Sequence, residues 1–156
     1  MASSRFDLLR GLSNEQIDTL LALGRRRAVS QREQLAPRSD SVFLLLEGEV
    51  DLSISVVLDG RKQHVRVERA RPGEMLGWMS LIPSSPWQRV AHAHGEAIVL
   101  EFPRPELMAL LASDPALASA IHSNLAARAA TELHAAWLLH LQREFDRFGA
   151  RRTSAA

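Results

Sequence analysis

The chain has no cysteine, which excludes disulfides, thiolate nucleophiles and cysteine-ligated zinc. Any metal would have to be held by histidine and carboxylate. No apolar run approaches the roughly 18 residues of a membrane-spanning helix, and the opening MASSRFDLLRG lacks the basic segment and apolar stretch of a signal peptide. A cytoplasmic protein without membrane contact is expected. A strong charge of one sign is also missing, the formal net charge being +1. The local basic groups, Arg25 to Arg27 and Arg151 with Arg152, read as solvated surface at a helix end and in a tail. There is no Walker-type phosphate loop, dinucleotide fingerprint, HExxH helix or GxSxG elbow, and no serine, histidine and carboxylate group into a triad. Catalysis is not expected.

What remains is a chain of 156 residues with 46% hydrophobic content, enough for one sizeable core and too little for two comfortable domains. Ser13 followed three residues later by Gln16 forms a capping box, and Ile17, Leu20, Leu21 and Leu23 follow at helical spacing. The pattern predicts a helix over about residues 13–27.

From Val42 the period changes. Val42–Leu46 is a continuous apolar run, and beyond Glu47 and Gly48 the residues Val50, Leu52, Ile54 and Val56 alternate with polar neighbours. Asp59-Gly60 marks a tight turn, and Val65 and Val67 alternate on the return strand. Pro72-Gly73-Glu74 is a further turn, Pro83 to Pro86 a polar loop, and Arg89–His94 with Ala97–Phe102 the last two strands. Short strands with frequent turns over about residues 28–102 indicate an antiparallel roll or barrel.

Helices return over about residues 104–148, with Pro105 in a first turn, Asp114 as an N-cap before Pro115, and Gly149 as C-cap. Residues 150–156 read as a tail. The last helix, about 30 residues or roughly 50 Å, outreaches a small roll. Its stripe of Leu117, Ile121, Leu125, Ala129, Leu133, Trp137, Leu138, Leu141, Phe145 and Phe148 becomes bulkier toward its end. Packing on the parent roll is one account of the stripe. Self-association through Leu133, Trp137, Leu141 and Phe145 is the preferred one, because these side chains would otherwise form an exposed patch.

In order and spacing, these pieces resemble the cyclic-nucleotide-binding domain family. The resemblance covers roughly Leu8 to Leu139. It is carried by Leu12-Ser13, by Val42-Phe43-Leu44-Leu45-Leu46-Glu47-Gly48-Glu49-Val50, by Pro72-Gly73-Glu74-Met75-Leu76-Gly77, and by Phe102-Pro103-Arg104 through Leu110-Leu111-Ala112-Ser113-Asp114-Pro115. It implies a mainly β fold with flanking helices: an antiparallel β-roll of the double-stranded β-helix or jelly-roll kind, closed by a long C-terminal helix. One domain, residues 1–149, is expected.

The resemblance further implies a phosphate cassette. In the family a Gly-Glu pair opens a short helix whose backbone N–H groups face the cyclic phosphate, the Glu binds the ribose hydroxyl, and a Pro-Arg pair brings a guanidinium to the phosphate. Here the corresponding site is Gly77, Trp78, Met79, Ser80, Leu81, Pro86, Trp87 and Arg89. Trp78 stands where the glutamate belongs, and Trp87 follows Pro86 where the arginine belongs. Arg89, two residues on, is the remaining cation that can reach a phosphate if the loop shifts. Burying a phosphodiester without a paired cation is costly, so ordinary cyclic AMP or cyclic GMP binding is not expected, and no cofactor is. Two roles stay open for the tryptophans: filling the pocket as core, or stacking on a flat ligand.

His92 and His94 fall on one face of a predicted strand, but no third metal ligand is legible near them. His122, His134 and His140 read as polar-face or interface residues of the long helix. The clustered His and Glu ligands of a cupin are not present. Catabolite-activator-like regulators carry a helix-turn-helix module after the long helix, and this chain has no room for one before Ala156, so direct DNA binding is not expected. Three functions follow in order: a non-catalytic regulatory or protein-interaction module, dimeric and acting on a protein partner; a sensor of a cyclic nucleotide or another flat anion in a non-standard pose; and, last, a cupin-type enzyme.

Overall fold

The computed structural model describes residues 7–36, 40–82 and 89–153. A 3-10 turn at Asp7–Leu9 leads into helix α1 (Asn14–Leu23). Eight strands follow: β1 (Arg25–Val29), β2 (Gln34–Ala36), β3 (Ser41–Glu47), β4 (Val50–Leu58), β5 (Arg61–Ala70), β6 (Met75–Leu76), β7 (Val90–Ala93) and β8 (Ala97–Pro103). A second 3-10 helix, Trp78–Leu81, lies between β6 and β7, and α2 (Arg104–Ser113) and α3 (Pro115–Thr153) close the chain.

The strands form two four-stranded antiparallel sheets, in the orders β1-β8-β3-β6 and β2-β7-β4-β5. The expected β-roll with flanking helices is therefore the fold. The unbroken apolar run of β3 has a direct cause, since successive side chains of a strand point to opposite faces and here both faces are buried. Phe43 and Leu45 enter the core that also holds Val50, Leu52, Leu76, Ala91 and Val99. Val42 and Leu44 enter a second core with Phe102, Leu107, Leu111, Leu117, Ile121 and Leu125, against the helices.

The tight turn is as expected: Asp59 and Gly60 both take positive φ, and Leu58 pairs with Arg61 across them. The capping box is present too, with Gln16 N–H donating to Ser13 Oγ and Ser13 N–H to Gln16 Oε1. Asp114 caps α3 by accepting from the Leu117 N–H at 2.9 Å.

Two boundaries differ from the sequence expectation. The first helix stops at Leu23 rather than near residue 27, because Gly24 is extended and fits against Leu100 so closely that a Cβ would lie 2.3 Å from its Cγ. Arg25 to Arg27 consequently form a strand edge opposite Glu101, Leu100 and Val99, and the roll begins at Arg25 rather than about 28. Arg27 is not a solvated helix end. Its Nε lies 2.9 Å from Glu101, and its guanidinium stands 5.6 Å from the centre of the Phe43 ring. At the other end, α3 does not stop at Gly149 but runs through it to Thr153, so most of the expected tail is helical. A single glycine costs an exposed helix only about 1 kcal/mol, too little to end one that long.

Candidate functional site

The cassette begins where β6 meets Gly77, whose φ of 73° lies in the left-handed region that glycine adopts at least cost. This bend releases the chain into the one-turn 3-10 helix Trp78–Leu81. The helix is held from below by its apolar side chains. Trp78 and Leu81 are buried in the helix-side core, and Met79 packs at its margin. It is held from the side by Arg104, the first residue of α2, whose Nε donates to the Ser80 carbonyl at 3.0 Å. The Ser80 hydroxyl is buried with no hydrogen-bond partner among the described residues.

Gly77, Trp78, Met79, Ser80 and Leu81 are thus brought together in one turn. Pro86 and Trp87 lie outside the described residues. Arg89 immediately precedes β7, and its guanidinium has partners the sequence did not indicate. Nη1 donates to Glu68 Oε2 at 2.9 Å, and Nη2 donates to Glu132 Oε2 at 2.7 Å. Arg128 completes the group, donating from Nε to Glu132 Oε1 at 3.0 Å and standing 3.7 Å from Glu68 and 3.9 Å from Glu74. Arg89, Glu68, Arg128 and Glu132 form a ring of alternating charge that ties β5, the entry to β7, and α3 together, with Glu74 as a third carboxylate beside it. Burial by itself lowers the Arg128 pKa. The Glu132 hydrogen bond and the charges of Glu74, Glu132 and Glu68 outweigh it, and the net shift is upward. Three carboxylates against two guanidiniums leave this region one negative charge in excess.

Arg128 and Glu132 stand four apart, a spacing that marks a helix pair in sequence. The reach of Glu132 to Arg89, across 43 residues, has no such signal.

Elsewhere on the second sheet, where β4 and β5 pair, Asp51 accepts from Arg69 Nε at 2.8 Å and lies 3.0 Å from His94 Nδ1, while Arg69 Nη2 is 3.1 Å from the same His94 nitrogen. Burial tends to raise the Asp51 carboxyl, but the hydrogen bonds from Arg69 and His94 and their charges hold it below its ordinary value. Among the described residues no three His, Asp or Glu side chains are placed to hold a metal ion.

Along α3 the apolar stripe divides. Leu117, Ile121 and Leu125 are buried, whereas Leu133, Trp137, Leu141 and Phe145 are 45% to 73% exposed, with Leu138 and Leu139 exposed beside them. At about 100° per residue, each four-residue step drifts the stripe by about 40° around the helix. The buried trio and the exposed four therefore centre on opposite faces, and the second group points away from the roll that carries it. Among the described residues, no helix is long and apolar enough to cross a membrane.

A roll of two antiparallel sheets with a glycine-led cassette turn and a long closing helix defines a class of regulatory sensor domains. The chain belongs to the cyclic nucleotide-binding domain family, whose family model matches residues 33–114, more than half of its length. No curated protein matches the chain. Among solved structures it is similar to the N-terminal domain of a transcriptional regulator from Streptomyces coelicolor A3(2), at 25% identity and a TM-score of 0.65 over 84% of this chain and 92% of that one. It is also similar to the catabolite activator protein of Thermus thermophilus, at 27% identity and a TM-score of 0.67 over 85% of this chain. It spans 60% of that protein's length. The regulatory domain of Toxoplasma gondii PKA, solved with cAMP, shares the fold at 17% identity and a TM-score of 0.56 over 67% of this chain and 40% of that one.

Proposed function

We propose that the chain is a non-catalytic regulatory module: a cyclic-nucleotide-binding-type roll that does not hold cyclic nucleotide in the family's usual way, dimerises through α3 and acts on a protein partner. The observation that carries this reading is the state of the cassette. Trp78, where the resemblance places a ribose-binding glutamate, is buried in the core that also holds Leu44, Leu107 and Leu111. An indole already in a core is not free to receive a sugar, and a carboxylate substituted there would be desolvated without a partner. Arg89 supports the same reading, since its two Nη groups already serve carboxylates and the charge around it is negative in sum.

Dimerisation is supported by the exposed face of α3. Two copies of this chain packed along Leu133, Trp137, Leu141 and Phe145 would cover each other's apolar surface by a single two-fold axis, the simplest closed arrangement. The relatives that are regulators favour a protein that transmits a signal over one that performs chemistry, and the Thermus catabolite activator is such a relative.

A second reading, a sensor of a flat anionic ligand, is favoured by one observation: the Ser80 hydroxyl in the cassette helix is buried without a partner. Mass spectrometry of protein purified without added ligand and then denatured separates the two. The first reading expects no co-purifying nucleotide. A nucleotide retained near one per chain establishes the second.

A further inference from the structure

Arg89 and Arg128 would together make a dibasic site for an anion, and α3 fills that site with its own carboxylate. Glu132 uses both oxygens, Oε2 accepting from Arg89 at 2.7 Å and Oε1 from Arg128 at 3.0 Å. This is the two-pronged arrangement that a phosphate or carboxylate ligand makes with a pair of guanidiniums. Glu68 repeats it on the other side of the ring at 2.9 and 3.7 Å. All four side chains are partly withdrawn from water, 21% to 37% exposed, so their interactions are less screened than those of a surface pair.

We infer that Glu132 is a tethered occupant of the Arg89–Arg128 site, so that an anionic ligand such as a phosphodiester enters only by displacing its carboxylate from Arg89. Glu132 also marks a boundary along α3. Over residues 133–143 of α3 no described side chain hydrogen-bonds or ion-pairs with the roll, and Leu133 is the first of the exposed apolar stripe. Glu132 is the last polar anchor before the free section of the helix. Ligand and Glu132 compete for the same guanidinium, and by linkage whatever fixes the Glu132 carboxylate on Arg89 weakens the anion to the same degree.

The inference rests on the reading of the cassette given above, and the two fail separately. The test is a calorimetric titration of cyclic AMP into the full chain as wild type, as Glu132→Gln, and as Glu132→Gln with Arg89→Gln, each checked by circular dichroism. Glu132→Gln is expected to bind at least about tenfold more tightly than wild type, the scale of one charge-assisted contact, and the second substitution is expected to abolish that gain. Equal affinity of Glu132→Gln and wild type overturns the inference, as does a gain that survives loss of Arg89. Should Glu132→Gln not fold, Glu132→Asp, which withdraws the charge by one methylene, is read in the same way. Micromolar binding by the wild type itself would contradict the proposed function and leave this comparison of variants intact.

Discussion

Arg89 Nη2 and Glu132 Oε2 lie 2.7 Å apart, joining the entry of β7 to the middle of α3. Their contact belongs to a ring in which each charge has two opposite neighbours, the situation in which ion pairs contribute more than isolated surface pairs do. Removing a member leaves like charges facing one another. Arg128→Met is therefore expected to lower unfolding stability by about 1.5–3 kcal/mol, because Glu68, Glu74 and Glu132 lose their shared cation. Chemical denaturation measures it, and an unchanged midpoint would show that the ring contributes nothing.

Trp78 is expected to behave as a core residue. Trp78→Ala should cost about 3–5 kcal/mol in the same measurement, the range for deleting a large buried aromatic. A loss below about 1 kcal/mol would mark the indole as dispensable packing and reopen its role toward a ligand.

Two glycines of positive φ separate backbone strain from crowding. Gly60 has open space around a notional Cβ, and Gly60→Ala should cost only the left-handed backbone penalty of about 1–2 kcal/mol. At Gly48 the Cβ would stand 2.5 Å from the Glu96 carbonyl oxygen and 2.9 Å from the Ala97 Cα, both backbone atoms. Gly48→Ala should cost clearly more, and equal losses would contradict the close approach of the two chains there.

The Asp51 cluster predicts a small acid dependence. A carboxylate whose folded pKa lies below its ordinary value adds stability above the ordinary value, and that contribution disappears as pH falls through the folded value. The gap in thermal midpoint between wild type and Asp51→Asn should be present at neutral pH and close below about pH 4. A gap that widens toward acid would reverse the sign of the interaction.

Dimerisation is read by light scattering. The wild type is expected at twice the chain mass, and Leu141→Asp with Phe145→Asp at the monomer mass with an unchanged circular dichroism spectrum. A monomeric wild type would refute the dimer.

The parts of the fold written in local chemistry were legible from the sequence: the Ser13 capping box, the Asp59-Gly60 turn, the alternation of β4 and the two-sided burial implied by Val42–Leu46. Arg25 to Arg27 were not, because three consecutive arginines carry no period, and only pairing with β8 makes them a strand. Leu35 is fully buried in a strand of three residues, too short for any pattern to announce. At the expected cassette, the bend at Gly77 and the short helix after it were legible through the family resemblance. The partners of Arg89 were not, since Glu68 and Glu132 are distant in the chain and look like ordinary surface glutamates until β5 and α3 are folded against each other.

The central claim, that this roll keeps the family's architecture without its usual ligand, is tested most directly by isothermal titration of the wild-type chain with cyclic AMP, cyclic GMP and cyclic dinucleotides. No saturable heat is predicted at concentrations near micromolar. Saturable binding there with any of the three would contradict the account.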